Sequence, residues 1–331
     1  MDQRFQDKAR IYWTPERLAK VTGGKKLLVT PDRAPLLLRT MNLLNADGSM
    51  SANDVRKFRQ INHMAALMAP ELERLSGQMK EVRILDVGCG NSYLTLLAAW
   101  LFHEHWHKPC QIIGIDTHEQ RITASRDRAQ MLGYQGFLKF HLLTAGSNAW
   151  QEAWRAGFGS QEGQESISSS GEVVPPVAVP RPNVVIALHA CDTATDEALA
   201  LGFAEKADFI AVAPCCQAEL AATWTQLASS QHPMSPLFRS PHLRRETAAH
   251  ITDMMRMLLM RSVGYEVTAT EFVGLEHTPK NRLITCIRRG RYLKEAWDQF
   301  LEFKHSWSDT SIALEGMLEH LKADSNVGAA T

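Results

Sequence analysis

The chain has 331 residues, 45% of them hydrophobic, which is enough to bury a large core as one big domain or as a main domain with a smaller companion. Lys plus Arg equals Asp plus Glu at 36 each, so no global positive charge points to a nucleic-acid partner, although a local basic face would escape that count. The N-terminus MDQRFQDKARIYW lacks the apolar core of a signal peptide, the apolar helical stretches are too short to cross a bilayer, and six scattered cysteines read as free thiols. A cytoplasmic protein with no membrane partner is expected.

Residues 1–76 read as a mostly helical cap, broken by turn signals at Gly23-Gly24 and at NADGS, 45–49. Ser51 or Asn53 is placed to cap the next helix. Val55, Phe58, Ile61, Met64 and Leu67 give it an apolar stripe, and Arg56, Lys57, Arg59, Gln60 and His63 form the opposite face. That face reads either as a solvated surface or as a lid over a binding site.

From Val82 the rhythm turns to α/β alternation. VRILDV is a strand, 92–106 a helix, QIIGID a second strand, 117–132 a helix and GFLKFHLL a third strand. Residues 155–182, rich in Gly, Ser, Gln, Glu and Pro, read as a mobile insertion. NVVIALHA and ADFIAVAPCC continue the pattern as the fourth and fifth strands, 245–261 reads as a long helix, and YEVTATEFV with RLITCIRR completes a seven-stranded sheet. The expected organisation is a cap (1–76), a central α/β domain (77–291) and a helical extension (292–331).

The sharpest local signal is ILDVGCGNSYLTLLAAW, 84–100. A strand running into Gly88 and Gly90 lets the backbone turn tightly beneath a nucleotide-like ligand, and the following helix offers its N-terminal amides. Asp86 is placed to orient an ammonium group, directly or through water. Asp116, at the end of the second strand, is placed to accept both hydroxyls of an adenosine ribose, and a helix cap is its alternative role. A nicotinamide dinucleotide would use a similar layout. Tyr93 stands where the third dinucleotide glycine belongs, however, which favours S-adenosylmethionine as the cofactor.

These segments resemble the class I methyltransferases, in particular the branch of the methyltransferase-like 25 proteins and the eukaryotic Trm13-like tRNA 2'-O-methyltransferases. The resemblance spans about 54–289 and is carried by KFRQINHM, DVGCGNSYLT, ALHACDTATDEAL, APCCQ and EHTPKNRLI. The branch has a His-x-Cys-x-x-x-Thr-Asp pattern, matched by His189, Cys191, Thr195 and Asp196. It also has a paired cysteine, matched by Cys215 and Cys216. Lys57 and Gln60 match the Lys and Gln that several members carry ahead of the glycine motif. Two departures stand out: the zinc modules that precede the tRNA enzymes' catalytic domain are missing, and Asp192 replaces a glycine common in the branch. The resemblance implies a Rossmann-like seven-stranded class I methyltransferase fold with an N-terminal helical cap. It also implies S-adenosylmethionine as donor and an RNA acceptor, tRNA or rRNA.

On the acceptor side, His189, Cys191 and Asp192 follow the fourth strand, and Cys215 and Cys216 follow the fifth. The carboxyl ends of parallel strands face the ligand crevice in such folds. His189 is a candidate base and Asp192 a candidate relay or acceptor-holding group, while a histidine satisfied by a backbone bond is the plainer alternative. Cys191, Cys215, Cys216 and Asn281 are candidate acceptor contacts. A zinc site of His189 and the three cysteines is disfavoured because no CxxC hook is present, so no metal is expected. Lys280, Arg282, Arg288, Arg289 and Arg291 read either as phosphate contacts or as a solvated basic edge, and Arg244, Arg245, His250 and Arg256 form another candidate acceptor surface. A protein or small-molecule acceptor is the rival within enzymes, and a noncatalytic RNA-binding or scaffold module is the rival outside them. The oligomeric state is not readable.

Overall fold

Apolar, β-branched runs form the strands of this chain, and glycines or capping hydroxyls punctuate them. A computed structural model describes residues 3–144, 149–158, 181–188, 192–214, 217–271 and 282–327. Seven strands form one sheet in the order β3-β2-β1-β4-β5-β7-β6. The chain divides into two compact units, Met1–Arg181 and Pro182–Thr331.

The first unit begins with helices α1 (Gln3–Tyr12), α2 (Pro15–Thr22), α3 (Pro35–Thr40) and α4 (Ala52–Gln78). Ser51 caps α4, its hydroxyl accepting the Asp54 amide at 3.2 Å. The buried stripe of α4 runs through Phe58, Asn62, Ala65, Met68, Leu72 and Leu75, whereas Val55, Ile61, Met64 and Leu67 are half-buried. Asn62 accounts for the shift from the expected stripe. It enters the core because its amide is used on both sides, accepting the Val29 N–H at 2.9 Å and donating to the Phe58 carbonyl at 3.1 Å. Arg59, read as part of a solvated face, donates from Nε to the Val21 carbonyl at 2.9 Å, at the end of α2.

The α/β part of this unit comprises β1 (Val82–Val87), α5 (Tyr93–Trp100, extended by a π-helical turn, Leu101–His105), β2 (Cys110–Asp116), α6 (Glu119–Leu132), β3 (Leu138–Leu142) and α7 (Ala149–Phe158). β1 and β3 both lie parallel to β2, with Asp86 opposite Gly114 and Gly114 opposite Phe140. The start of the expected mobile insertion, 155–158, is helical as the end of α7; residues 159–180 lie outside the described residues.

The second unit holds β4 (Val184–Ala187), α8 (Thr193–Ala204), β5 (Phe209–Val212), α9 (Glu219–Leu227), α10 (Ser235–Arg239), α11 (Pro241–Ser262), β6 (Tyr265–Glu271), β7 (Arg282–Arg288), α12 (Lys294–Ser306) and α13 (Ala313–Val327). β4 and β5 are parallel, while β7 runs antiparallel to both β5 and β6. One reversed strand inserted before the last is the arrangement of the Rossmann-like seven-stranded class I methyltransferase fold, as the sequence led us to expect. β4 and β5 are buried along their whole length, so they read as unbroken apolar runs. No described helix is long and apolar enough to cross a membrane.

Candidate active site

In the first unit the site is built from the ends of β1 and β2. Gly88 and Gly90 take φ of 68° and 55°, a region that excludes most side chains, and the chain turns there directly out of β1. Ser92 also lies in the left-handed region, with φ of 59°. Its buried hydroxyl does not cap α5 but meets the Ser125 hydroxyl on α6 at 2.5 Å, so the N-cap residue leaves the first amides of α5 without a side-chain partner. The Cys89 amide donates to the Ile115 carbonyl at 2.9 Å, which ties the turn to β2. Gly114 makes room for this: a Cβ there would stand 2.6 Å from the Phe140 ring and 3.2 Å from the Cys89 sulfur.

Asp86 is buried and accepts a hydrogen bond from the Thr95 hydroxyl on α5. Burial pushes its carboxyl up to about 7; the nearby Asp116 charge adds to the rise and the Thr95 hydroxyl opposes it. Asp116 closes the glycine turn from the other side. Its Oδ2 accepts the Gly90 amide at 2.9 Å, and its Oδ1 accepts the His118 amide at 2.9 Å and lies 3.0 Å from His118 Nδ1. Burial works to raise this carboxyl, but the His118 and Gly90 amides, the His118 ring and Arg121 together hold it below the usual carboxylate range. The structure thus brings Asp86, Gly88, Gly90 and Asp116 together around one turn. On α4, Lys57 is exposed and Gln60 half-buried.

In the second unit, His189, Cys191, Cys215, Cys216 and Asn281 lie outside the described residues, as does Lys280. Asp192 is described, and its backbone is unusual: φ of 53° and ψ of −122°, a conformation that glycine adopts without cost and aspartate does not. Three bonds hold it there. Its carbonyl accepts from Arg256 Nη2 at 2.9 Å, and its Oδ1 accepts the Ala218 and Glu219 amides, at 2.9 and 3.3 Å, at the start of α9.

Arg256 is itself buried and forms a two-pronged pair with Asp196, Nε to Oδ1 and Nη2 to Oδ2, each 2.8 Å. Its Nη1 reaches Asp253 at 3.3 Å. Asp253 also accepts from Arg282 and from the Gln217 amide at 3.1 Å. One network therefore joins the described ends of three sequence motifs, through Asp192 and Asp196, Gln217, and Arg282.

This geometry removes Arg256 from the candidate acceptor surface: it is in the interior, and Asp196 is its partner. Arg282 pairs with Asp253 and lies 2.6 Å from His250 Nδ1, Arg288 faces Asp208 at 3.8 Å, and Arg289 faces Glu266 at 2.5 Å.

Thr95, Gly114, His118 and Arg256 were not singled out for these roles. Thr95 had a signal, as the one aliphatic hydroxyl in the apolar run YLTLLAAW, nine residues after a buried aspartate. Among the described residues, no group of three or more His, Cys, Asp or Glu side chains is arranged to hold a metal ion. Cys89, Cys110 and Cys286 are buried free thiols, and burial pushes the Cys110 thiol up to about 12.

Residues 56–223 match the family model described as a methyltransferase domain. No curated protein matches the chain. Among solved structures, a candidate O-methyltransferase from Klebsiella pneumoniae aligns with 16% identity over 87% of this chain and 100% of its own, with a TM-score of 0.42. The S-adenosylhomocysteine-bound methyltransferase PaMTH1 from Podospora anserina aligns with 11% identity over 87% of this chain and 97% of its own, with a TM-score of 0.41. At these scores and identities, the family match is what places the chain.

Proposed function

This chain belongs to the methyltransferase-domain family, and from that premise we propose that it is an S-adenosylmethionine-dependent enzyme that methylates a protein side chain or a small molecule. The observation that carries the donor reading is the closed turn. Two glycines with positive φ, an α5 N-terminus without a side-chain cap and a buried carboxylate bonded to the Gly90 amide together suit an adenosine group with a charged methionine tail.

In this reading Gly88 and Gly90 let the backbone approach the cofactor, and Asp116 accepts the ribose hydroxyls. Asp86, held by Thr95, stabilises the ammonium, whose positive charge would favour the ionised form of this raised carboxyl. When bound, S-adenosylmethionine supplies an already activated methyl group, so positioning of the acceptor does much of the work. His189 remains the candidate base, needed if the nucleophile carries a proton. Lys57, Gln60, Cys191, Cys215, Cys216 and Asn281 remain candidate acceptor contacts. Asp192 acts by tying the start of α8 to the start of α9, since its carboxylate is engaged there.

The resemblance to tRNA 2'-O-methyltransferases implied an RNA acceptor. Gripping a polyanion takes uncommitted cations, yet Arg256 is buried against Asp196 and Arg282 pairs with the buried Asp253. That commitment favours the protein or small-molecule acceptor.

The test is transfer of label from S-adenosylmethionine into separated RNA, protein and metabolite fractions from cells lacking the gene, with a D86N/D116N double variant as control. Label entering protein or metabolites with the intact chain alone is the expected result. Label entering RNA would keep the donor and overturn the acceptor. No transfer together with no donor binding would leave a noncatalytic module.

A further inference from the structure

Asp116 does not stand open to a sugar. Its Oδ1 holds the His118 amide at 2.9 Å and faces the His118 ring at 3.0 Å, while its Oδ2 holds the Gly90 amide. The two amides are fixed by backbone, and a carboxylate oxygen has lone-pair capacity for more than one donor, so both amides can stay when a ligand arrives. The ring differs. It belongs to an exposed side chain that makes no cap for α6 and can swing away by rotation about χ1.

We propose that His118 is a latch on the cofactor site: its imidazole occupies the Asp116 oxygen that a ribose hydroxyl must take, so donor affinity is set by competition between ring and sugar. The inference rests on the reading of Asp116 as the ribose-binding carboxylate. The ring holds Oδ1 when Nδ1 carries a proton, and a sugar hydroxyl must displace that donor to reach the same oxygen.

The groups that bear on this contact are few. Asp116 faces the ring from β2 and the Thr117 hydroxyl lies 3.3 Å from Nδ1. From α6, Glu119 is the next residue along the chain and Arg121 stands 4.0 Å from Asp116 Oδ2. From β1, Asp86 and Asp116 act on each other as like charges. Because Asp86 meets the ammonium of the full donor in this reading, the probe has to leave that contact out. 5'-Methylthioadenosine does so, having the ribose and adenine but neither the ammonium nor the carboxylate of the full donor.

Calorimetric titration of the full chain with 5'-methylthioadenosine tests the latch. H118A is expected to bind it about five-fold more tightly than wild type, the order set by one exposed hydrogen bond to a carboxylate. S-adenosylmethionine should show the same order of binding. Equal or weaker binding by H118A would overturn the latch while leaving Asp116 as the ribose group. If neither nucleoside binds the wild-type chain, the reading of Asp116 fails, and the latch with it.

Discussion

The buried carboxylates of the two units are treated in opposite ways. In the first unit Asp86 and Asp116 are held by a hydroxyl, two backbone amides and an exposed imidazole, with Arg121 only at the margin. In the second, Asp196 and Asp253 are held by the guanidinium groups of Arg256 and Arg282. A guanidinium fork matches a carboxylate along both oxygens and leaves little for a ligand to gain. Neutral donors fix the position of a carboxylate but leave its charge unmatched, so a cation or a diol can still be recognised. The first arrangement suits a site and the second suits a weld.

The largest way to break this comparison is to remove the weld. R256A leaves Asp196 buried without its cation and is expected to destabilise the chain by about 3–5 kcal/mol, the usual cost of stripping one partner from a buried pair. R256K keeps the charge but loses the fork, and should fall between that variant and the wild type. Urea unfolding of the full chain measures both. A loss below about 1 kcal/mol for R256A would mean that the network is not structural.

A pH series sharpens the other side. Asp86 keeps its proton in the folded chain up to about 7, whereas an unfolded aspartate releases it near its ordinary value, about 3.9. The folded state binds the extra proton between those values. The stabilisation is thus fully present below the unfolded value and is lost as pH rises towards about 7, at no more than about 1.4 kcal/mol per unit. The stability of wild type relative to D86N, measured by urea unfolding without ligand, should fall as pH climbs through that window. A flat difference would show that Asp86 is ionised throughout and would erase the contrast with Asp196.

The smallest effect is expected at Asp192. Asparagine can still accept the two α9 amides and tolerates positive φ, so D192N should lie within about 0.5 kcal/mol of wild type. D192A loses that acceptor and keeps an unfavourable backbone, for a cost of about 1–2 kcal/mol. D192G also loses the acceptor but relieves the strain, and the two effects should offset to within about 1 kcal/mol. Thermal unfolding ranks the three, and a D192G variant less stable than D192A would contradict the strain assignment.

Much of the fold was legible along the chain. VRILDV, QIIGID and the run before Leu188 are compact apolar strands, and glycine or a capping serine marks the start or end of several helices. The turn at Gly88 and Gly90 was legible too, because only glycine takes those angles easily beneath a ligand. Less legible was the core face of α4, where a polar Asn62 replaces a stripe position, since its burial depends on partners at Val29 and Phe58. The fate of the arginines was hidden for the same reason: Arg256 meets Asp196 60 residues away in the chain.

The succession of strands along the chain and the placement of Asp86 and Asp116 at strand ends follow from the sequence by itself, because periodicity and turn chemistry act over a few neighbouring residues. Only the tertiary structure decided which charges are available. Whether a carboxylate waits for a ligand or is already matched depends on groups brought in from distant segments, and so does the strain at Asp192, set by Arg256 and by the first amides of α9. Local pattern carries the backbone course; the state of a buried charge is settled by what packs against it.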